Sequence, residues 1–203
     1  NLNASRGNRD RDFYSAQLRF DNNSEDAESF LILQQSERKS NDKAIDESTF
    51  IHGRYILVGA EAVHWELFAQ YSENPFRNYK KRSVLGGGLR YELSKSARLG
   101  AGILNEDETE LTGQSKTTER FGFYLHNSLE LAENIALKPT IYFQPSIDDF
   151  ENDYKASIIL ALDFKVNEDF KITMQYSSFH DSDPPMFAEK TDESISTMFS
   201  YNL

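Results

Sequence analysis

The sequence contains no cysteine, so disulfides, thiolate metal sites and cysteine nucleophiles are all excluded. It also lacks long apolar runs: hydrophobic residues make up 38% of the 203 residues, and the mean hydropathy is −0.63. No stretch approaches the roughly 20 consecutive apolar residues of a membrane-spanning helix, which excludes a helical membrane protein. Basic residues number 22 against 33 acidic ones, and a net charge of −11 argues against nucleic acid as a partner.

What the sequence does contain is an alternation of apolar and polar residues with a period of two. In the final segment one face is predicted to carry Ile195, Thr197, Phe199, Tyr201 and Leu203. The segment before it alternates in the same way from Phe170 to Tyr176. Strands that alternate between lipid and lumen average to a polar composition, so low hydropathy is compatible with a transmembrane β-barrel.

The stretches between the alternating segments differ in length. Short polar turns are predicted at 22–26, 58–61, 94–96, 131–134 and 165–168. Longer charged connections are predicted at 7–11, 37–48, 72–81, 105–119, 145–153 and 180–191. The two kinds take turns along the chain, as expected for a barrel with short periplasmic turns and long extracellular loops. The loops are expected to be acidic, with Glu106, Asp107, Glu108 and Glu110 together in one of them.

The alternating segments predict the fold class: an all-β, closed antiparallel up-and-down transmembrane barrel of about twelve strands, forming a single domain over 1–203. Strands are expected to begin near Leu2, Phe13, Ser29, Thr49, Ala62, Arg82, Ala97, Arg120, Ile135, Tyr154, Phe170 and Glu193. An even count places both termini in the periplasm of a bacterium with an outer membrane. Pro139 would remove one ladder hydrogen bond, so its strand is expected to be bulged or to begin late.

The same alternation separates an apolar outer face from an inner face that carries charges of both signs. The predicted lumen-lining residues are Arg19, Arg54, His64, Glu66, Arg90, Glu92, Arg98, Arg120, His126, Glu130 and Lys171, with Lys138 beside them. Such an interior is expected to be either wet or crossed by salt bridges. Gly86, Gly87 and Gly88 lie inside a strand, where they let the wall bend or leave room for Arg54 or Phe68.

Three residues two apart, His126, Ser128 and Glu130, are predicted to share one face of a strand. A serine beside a base and a carboxylate is the general arrangement for acyl transfer, so these are candidate catalytic residues of a lipid hydrolase. The alternative is that they are ordinary lumen-lining groups paired with Arg98 or Arg120. The histidines lack metal-ligand spacing, and neither a metal site nor a cofactor is expected.

Several motifs in the second half of the chain resemble a known family. They are the run from Arg82 to Leu93, the Leu99-Gly-Ala-Gly turn, Phe143-Gln-Pro followed by Asp148 and Tyr154, Asp181-Ser-Asp-Pro-Pro, and Lys190-Thr-Asp. Together, over 50–203, they resemble the salt-induced outer-membrane protein family, a domain of unknown function. The resemblance implies a Gram-negative outer membrane and a role in salt or envelope stress, but no catalytic residues. The chain departs from outer-membrane barrels in ending on Leu203 rather than an aromatic residue.

The predicted function is that of a narrow channel for ions or small solutes, or of an envelope-stability protein, because about twelve strands are too few for an open porin. Anionic solutes would be favoured only if the inward cations outnumber their paired acids. A lipid A deacylase-like enzyme and an accessory subunit of a larger outer-membrane complex are the alternatives. The expected partners are outer-membrane lipids, lipopolysaccharide and another envelope protein.

Overall fold

The computed structural model describes residues 2–5, 11–40, 43–59, 61–75, 78–185 and 188–201. Leu203 and most of the predicted 7–11 connection therefore lie outside the described residues. The strands are β1 Leu2–Ser5, β2 Arg11–Asn23, β3 Ala27–Ser40, β4 Lys43–Leu57, β5 Val63–Asn74, β6 Tyr79–Glu92, β7 Ala97–Glu110, β8 Ser115–Asn127, β9 Leu129–Ala132, β10 Ile135–Pro145, β11 Tyr154–Lys165, β12 Phe170–Asp181 and β13 Thr191–Tyr201. Within these ranges, no helix has the length and apolar character to cross a membrane.

The strands form one antiparallel meander in which each strand pairs with its neighbour along the chain. Segment β9 continues β8 beyond Ser128, because both pair with β10 in one register, His126 opposite Thr140 and Leu129 opposite Leu137. The wall therefore has twelve strands, which confirms the predicted count. The break at Ser128 lies next to Pro139 of β10, whose ring nitrogen cannot donate a ladder hydrogen bond.

The predicted sorting of connections by length is wrong at one end of the sheet. Strand β7 continues to Glu110 and β8 begins at Ser115, so the predicted loop at 105–119 is mostly strand. The predicted 37–48 and 72–81 loops are likewise partly strand, because β3 continues to Ser40 and β4 begins at Lys43, and β5 continues to Asn74 and β6 begins at Tyr79. Charge is a poor marker of loops in this chain because the inner face of the sheet is itself charged.

Two longer connections remain, at 146–153 and 182–190, and we name this side the long-connection end. The opposite side, the turn end, carries the five turns at 24–26, 58–62, 93–96, 133–134 and 166–169. These five turns fall where the sequence predicts them.

The two faces of the sheet differ sharply in exposure. In β5, Trp65 and Leu67 are 62% and 65% exposed, whereas Glu66 between them is only 4% exposed. Large apolar side chains are exposed on the outer face of most strands, including Leu18, Phe20, Leu85, Ile103, Leu125, Ile141, Ile158, Ile195 and Phe199. This is the reverse of a water-soluble barrel and is typical of a wall that faces lipid.

The sheet curls so that distant strands meet across its inner face. Lys155 of β11 contacts Glu106 of β7, and Arg90 of β6 contacts Glu28 of β3. Arg19 of β2 and Ser200 of β13 line the same cavity. Among the described residues no ladder joins β13 to β1 or β2, so closure into a ring stays a prediction.

Candidate functional site

The inner face near the long-connection end is organised around one buried carboxylate. Glu106 accepts hydrogen bonds from Arg82, from Arg120 Nε at 2.5 Å and from Lys155 Nζ at 2.8 Å. Glu106 and Arg120 are each 2% exposed. We name these four residues the Glu106 cluster. A buried carboxylate without partners would destabilise the fold, and the three cations around Glu106 offset that cost.

The Glu106 cluster continues into further acids of the same end. Lys155 Nζ also donates to Glu108 Oε2 at 2.9 Å and lies 3.3 Å from Asp181 Oδ2. Glu106 and Glu108, predicted as loop residues, are therefore inward residues of β7. With Glu108 and Asp181, three acids face the three cations of the Glu106 cluster, so the charges balance.

Both longer connections are tied to the same cluster. Asp153 lies 2.8 Å from Arg120 Nη1 and accepts a hydrogen bond of 3.0 Å from Lys116 Nζ. Lys116 also donates to Asp183 at 2.7 Å, and the Ser182 hydroxyl donates to the Asn152 carbonyl at 2.7 Å. The connections 146–153 and 182–190 are thus held to one cation, Lys116, and to each other.

The surroundings of Asp153 lower the pKa of its carboxyl group. Burial acts to raise the pKa of Asp153, but hydrogen bonds from Lys116 and Arg120, with the charges of both, outweigh it. The pKa of Asp153 therefore lies below its ordinary value of 3.8. The carboxylate remains ionised in its tethering role over a wide range of pH.

A second buried carboxylate, Glu66, lies nearer the turn end. It accepts hydrogen bonds from Arg54 Nη1 at 3.0 Å, from Arg90 and from the Tyr124 hydroxyl. We name these four residues the Glu66 cluster. Arg90 also reaches Glu28 at 3.3 Å. The predicted inward charges Arg54, Glu66 and Arg90 thus form salt bridges rather than facing open water.

The Glu66 cluster packs on glycine. A Cβ on Gly100 would lie 1.9 Å from the Tyr124 ring, and one on Gly86 would lie 2.5 Å from the Phe68 ring. The inner wall can hold these large rings because the neighbouring strand offers no side chain there. For Gly86, the structure matches the expectation that it leaves room for Phe68.

An aromatic row lies beside the Glu66 cluster on β3 to β5. His52 stacks on Phe30, Phe50 and Phe68 with ring centroids 5.1, 6.0 and 6.5 Å apart. The Arg54 guanidinium lies over Phe68, 5.2 Å from the ring centroid. The inner face of β3 to β5 therefore carries an aromatic row directly beside the ionic Glu66 cluster.

Two cavities occupy the space that the side chains leave. The first, about 620 Å³, lies toward the long-connection end, where Pro184, Pro185 and Ala188 line it. The second, about 720 Å³, lies at the turn end, lined by residues such as Asn134 and Asn167. Arg19 is the one described residue that lines both. One cavity thus lies toward each end of the sheet, and their linings share Arg19.

Carboxylates outnumber cations in both cavities. The charged residues described in the lining of the first are Arg19, Arg54, Arg82 and Lys155 against Glu66, Glu73, Glu108, Asp181, Glu189 and Asp192. Those of the second are Arg19, Lys165 and Lys171 against Glu130, Glu133, Asp163, Glu168 and Asp169. The condition for favouring anionic solutes, an excess of inward cations, is not met by these linings.

The remaining predicted residues lie on the inner face at the turn end. Arg98 Nε donates to Glu92 at 3.2 Å, and His64 Nδ1 accepts from the Gly59 amide at 3.1 Å. Lys171 lies 3.5 Å from Asp163, and Lys138 donates to the same Asp163 carboxylate at 2.8 Å.

The three candidate catalytic residues do not form a hydrogen-bonded unit. His126 Nδ1 bonds the Thr140 hydroxyl at 2.8 Å, and no described contact links His126 to the Ser128 hydroxyl. Ser128 lies at the break between β8 and β9, and Glu130 is exposed in the turn-end cavity. The described geometry therefore does not assemble a nucleophile with its base.

The sequence reasoning missed four central residues: Glu106, Lys155, Tyr124 and Asp163. The period of two could have found them all. Tyr124 lies between the outward Phe123 and Leu125, and Asp163 between Leu162 and Phe164. Glu106 was hidden because it falls in the charged stretch predicted as the 105–119 loop, whereas Lys155 lies at an inward position of a predicted strand and was overlooked.

Comparisons with known proteins agree with this fold. The model of a family described as "Protein of unknown function, DUF481" matches residues 2–203, a wider span than the predicted 50–203 resemblance. That description does not mention salt induction, which stays a prediction. No curated protein matches the chain.

Two solved structures are similar over nearly the whole chain. One is the NanC porin, with a TM-score of 0.56, 10% identity and 100% of each chain covered. The other is the translocator domain of the autotransporter NalP from Neisseria meningitidis, with a TM-score of 0.56, 11% identity, and 98% of this chain and 84% of that chain covered. At such identities the likeness concerns the fold alone.

Proposed function

This chain belongs to the family described as a protein of unknown function, DUF481, and we propose that it is an outer-membrane β-barrel that conducts ions or small polar solutes. Its outer face of exposed apolar side chains supports a lipid location, since barrels in lipid present an apolar band outward. Both termini would face the periplasm, on the same side as the turn end. Outer-membrane lipids and lipopolysaccharide are its proposed surroundings.

The observation that carries the channel proposal is the pair of cavities whose linings share Arg19. One reaches the long-connection end and the other the turn end, so together they offer a path along the barrel. The Glu106 and Glu66 clusters fill much of the remaining interior. A path of this kind is restricted, in keeping with the narrow interior of a twelve-stranded wall.

The absence of cysteine gives a direct test. Ser157 and Ile158 are neighbours in β11, but Ser157 lines the first cavity whereas Ile158 is exposed on the outer face. In Ser157→Cys and Ile158→Cys proteins the introduced thiol is the only one. Each protein is refolded into a planar bilayer, and unitary current is recorded before and after a bulky water-soluble thiosulfonate is added.

We expect discrete current steps from both proteins, with the reagent reducing the unitary current of Ser157→Cys and leaving that of Ile158→Cys unchanged. A folded barrel that stays silent would refute the channel. Current steps with equal responses from the two variants would instead exclude a path that passes Ser157.

The second candidate function is an envelope-stability barrel that does not conduct. The two ionic clusters favour it, because a barrel filled by buried salt bridges needs no pore to be stable. Silence in the bilayer, with a barrel that resists unfolding, is the result expected for this alternative. The hydrolase and accessory-subunit alternatives stay predictions, and no described contact between His126 and Ser128 favours the hydrolase.

A further inference from the structure

We infer that the path selects small cations over anions and that the ion pair between Asp21 and Arg19, the residue that lines both cavities, sets the strength of this selection. The inference rests on the proposed channel function and names its solute class and its selectivity residue. Three observations carry it: the charge of the two linings, the position of Arg19 and the geometry of its ion pair.

The linings are the source of the cation preference. In the first cavity six described carboxylates face four cations, and in the second five face three, with Arg19 counted in both. A cleft lined by an excess of one charge raises the local concentration of the opposite ion. Both cavities therefore concentrate cations, one at each end of the path.

Arg19 is a cation of this acidic surface at the place where the two linings meet. It lines both cavities, and its side chain is 46% exposed, so its charge reaches water. The cations of the Glu106 cluster differ, because Arg82, Arg120 and Lys155 are bound to buried acids. Lys165 and Lys171 also reach water but line only the turn-end cavity, so among the described residues Arg19 is the exposed cation common to both linings.

Asp21 cancels that repulsion. Arg19 Nε lies 3.0 and 2.9 Å from the two Asp21 oxygens, and Nη2 donates to Oδ1 at 2.7 Å. The guanidinium also lies over the Phe30 ring, 4.4 Å from its centroid. The carboxylate and the ring hold Arg19 against the β2–β3 wall as one half of a neutral pair. The path therefore keeps the cation preference of its two cavities.

The test uses the two halves of this pair. The reversal potential of the refolded protein is measured across a potassium chloride gradient kept at or below about 0.1 M, where screening leaves fixed charges effective over about 10 Å. Arg19→Gln leaves Asp21 unmasked, and we expect the cation-to-anion permeability ratio to rise. Asp21→Asn leaves Arg19 unmasked, and we expect the ratio to fall. One unit charge about 5 Å from an ion in water changes its local concentration about fourfold.

Arg98→Gln is the matched control. Arg98 of β7 also pairs with an acid, its cross-strand partner Glu92 of β6, and its side chain is 38% exposed, but it lines neither cavity. We expect it to leave the permeability ratio at the wild-type value.

The outcomes separate the inference from the proposed function. A wild-type protein that folds but never conducts refutes the channel. A conducting wild-type protein that prefers anions overturns the inference alone. So do Arg19→Gln and Asp21→Asn proteins whose ratios are unchanged or shift in the same direction, since opposite shifts are the signature of a charge pair at the path.

Discussion

Glu106 and Glu66 are both buried acids of the inner face, yet they are held in different ways. Glu106 is surrounded by three cations, whereas Glu66 has two arginines and the neutral phenol of Tyr124. One cation of the Glu66 cluster, Arg90, is also shared with Glu28. Charge dominates the first site, and packing of Tyr124 on glycine contributes to the second.

The two clusters also differ in what they hold together. The Glu106 cluster reaches both longer connections through Arg120, Asp153 and Lys116. The Glu66 cluster links β3, β4, β5, β6 and β8 without touching a connection. Similar buried acids thus serve different parts of one sheet: Glu106 fixes the longer connections, and Glu66 fixes the wall.

The largest effect should come from Glu106→Gln. It leaves three cations without their shared acid, and breaking a buried pair costs about 3 to 5 kcal/mol of the free energy of unfolding. Glu66→Gln should cost less, about 2 to 3 kcal/mol, because it removes the acid from two cations rather than three. Urea unfolding of the protein in lipid vesicles measures both.

Asp107→Asn is the control for this pair of variants, because Asp107 adjoins Glu106 in β7 but is exposed. This variant should lose no more than about 1 kcal/mol of the free energy of unfolding. If Glu66→Gln lowers the free energy of unfolding as much as Glu106→Gln does, the proposed difference between the two sites is wrong.

A smaller effect tests the packing at the second cluster. In Gly100→Ala the added methyl would lie 1.9 Å from the Tyr124 ring, so the ring must move and its bond to Glu66 is lost. We expect a loss of about 1 to 3 kcal/mol in the same unfolding assay. Gly53→Ala is the matched control, since its methyl would meet only Leu31 at 3.9 Å. Equal losses in the two variants would mean that Gly100 has no special role beneath Tyr124.

The smallest effect is a pH dependence of the tether at Asp153. The pKa of this carboxyl is lowered in the folded protein, so its contribution to stability is present above its unfolded value of 3.8 and is lost as the pH falls through the lower folded value. Asp153→Asn should therefore be less stable than wild type near neutral pH. The gap should shrink in unfolding measurements below about pH 3.8. A gap that stays constant on acidification would exclude the ionised tether.

Much of the fold follows from local sequence. The turns at 93–96 and 166–169 and the starts of β7, β10, β11 and β12 all agree with the alternation of apolar and polar residues. The long-connection end was less predictable. Glu106 and Glu108 are charged residues in a charged stretch, and only their positions two and four residues beyond the inward Leu104 mark them as strand.

The sequence by itself determined which face each strand residue takes, because side chains alternate between successive positions of any strand. Only the tertiary structure decided which charges meet. Glu106 and Lys155 are 49 residues apart, on strands separated by two others, and they touch only because the sheet curls. The same curvature makes Arg19 of β2 line a cavity with Ser200 of β13. Local alternation fixes the direction of a side chain, whereas its partner depends on the curvature that the whole sheet adopts.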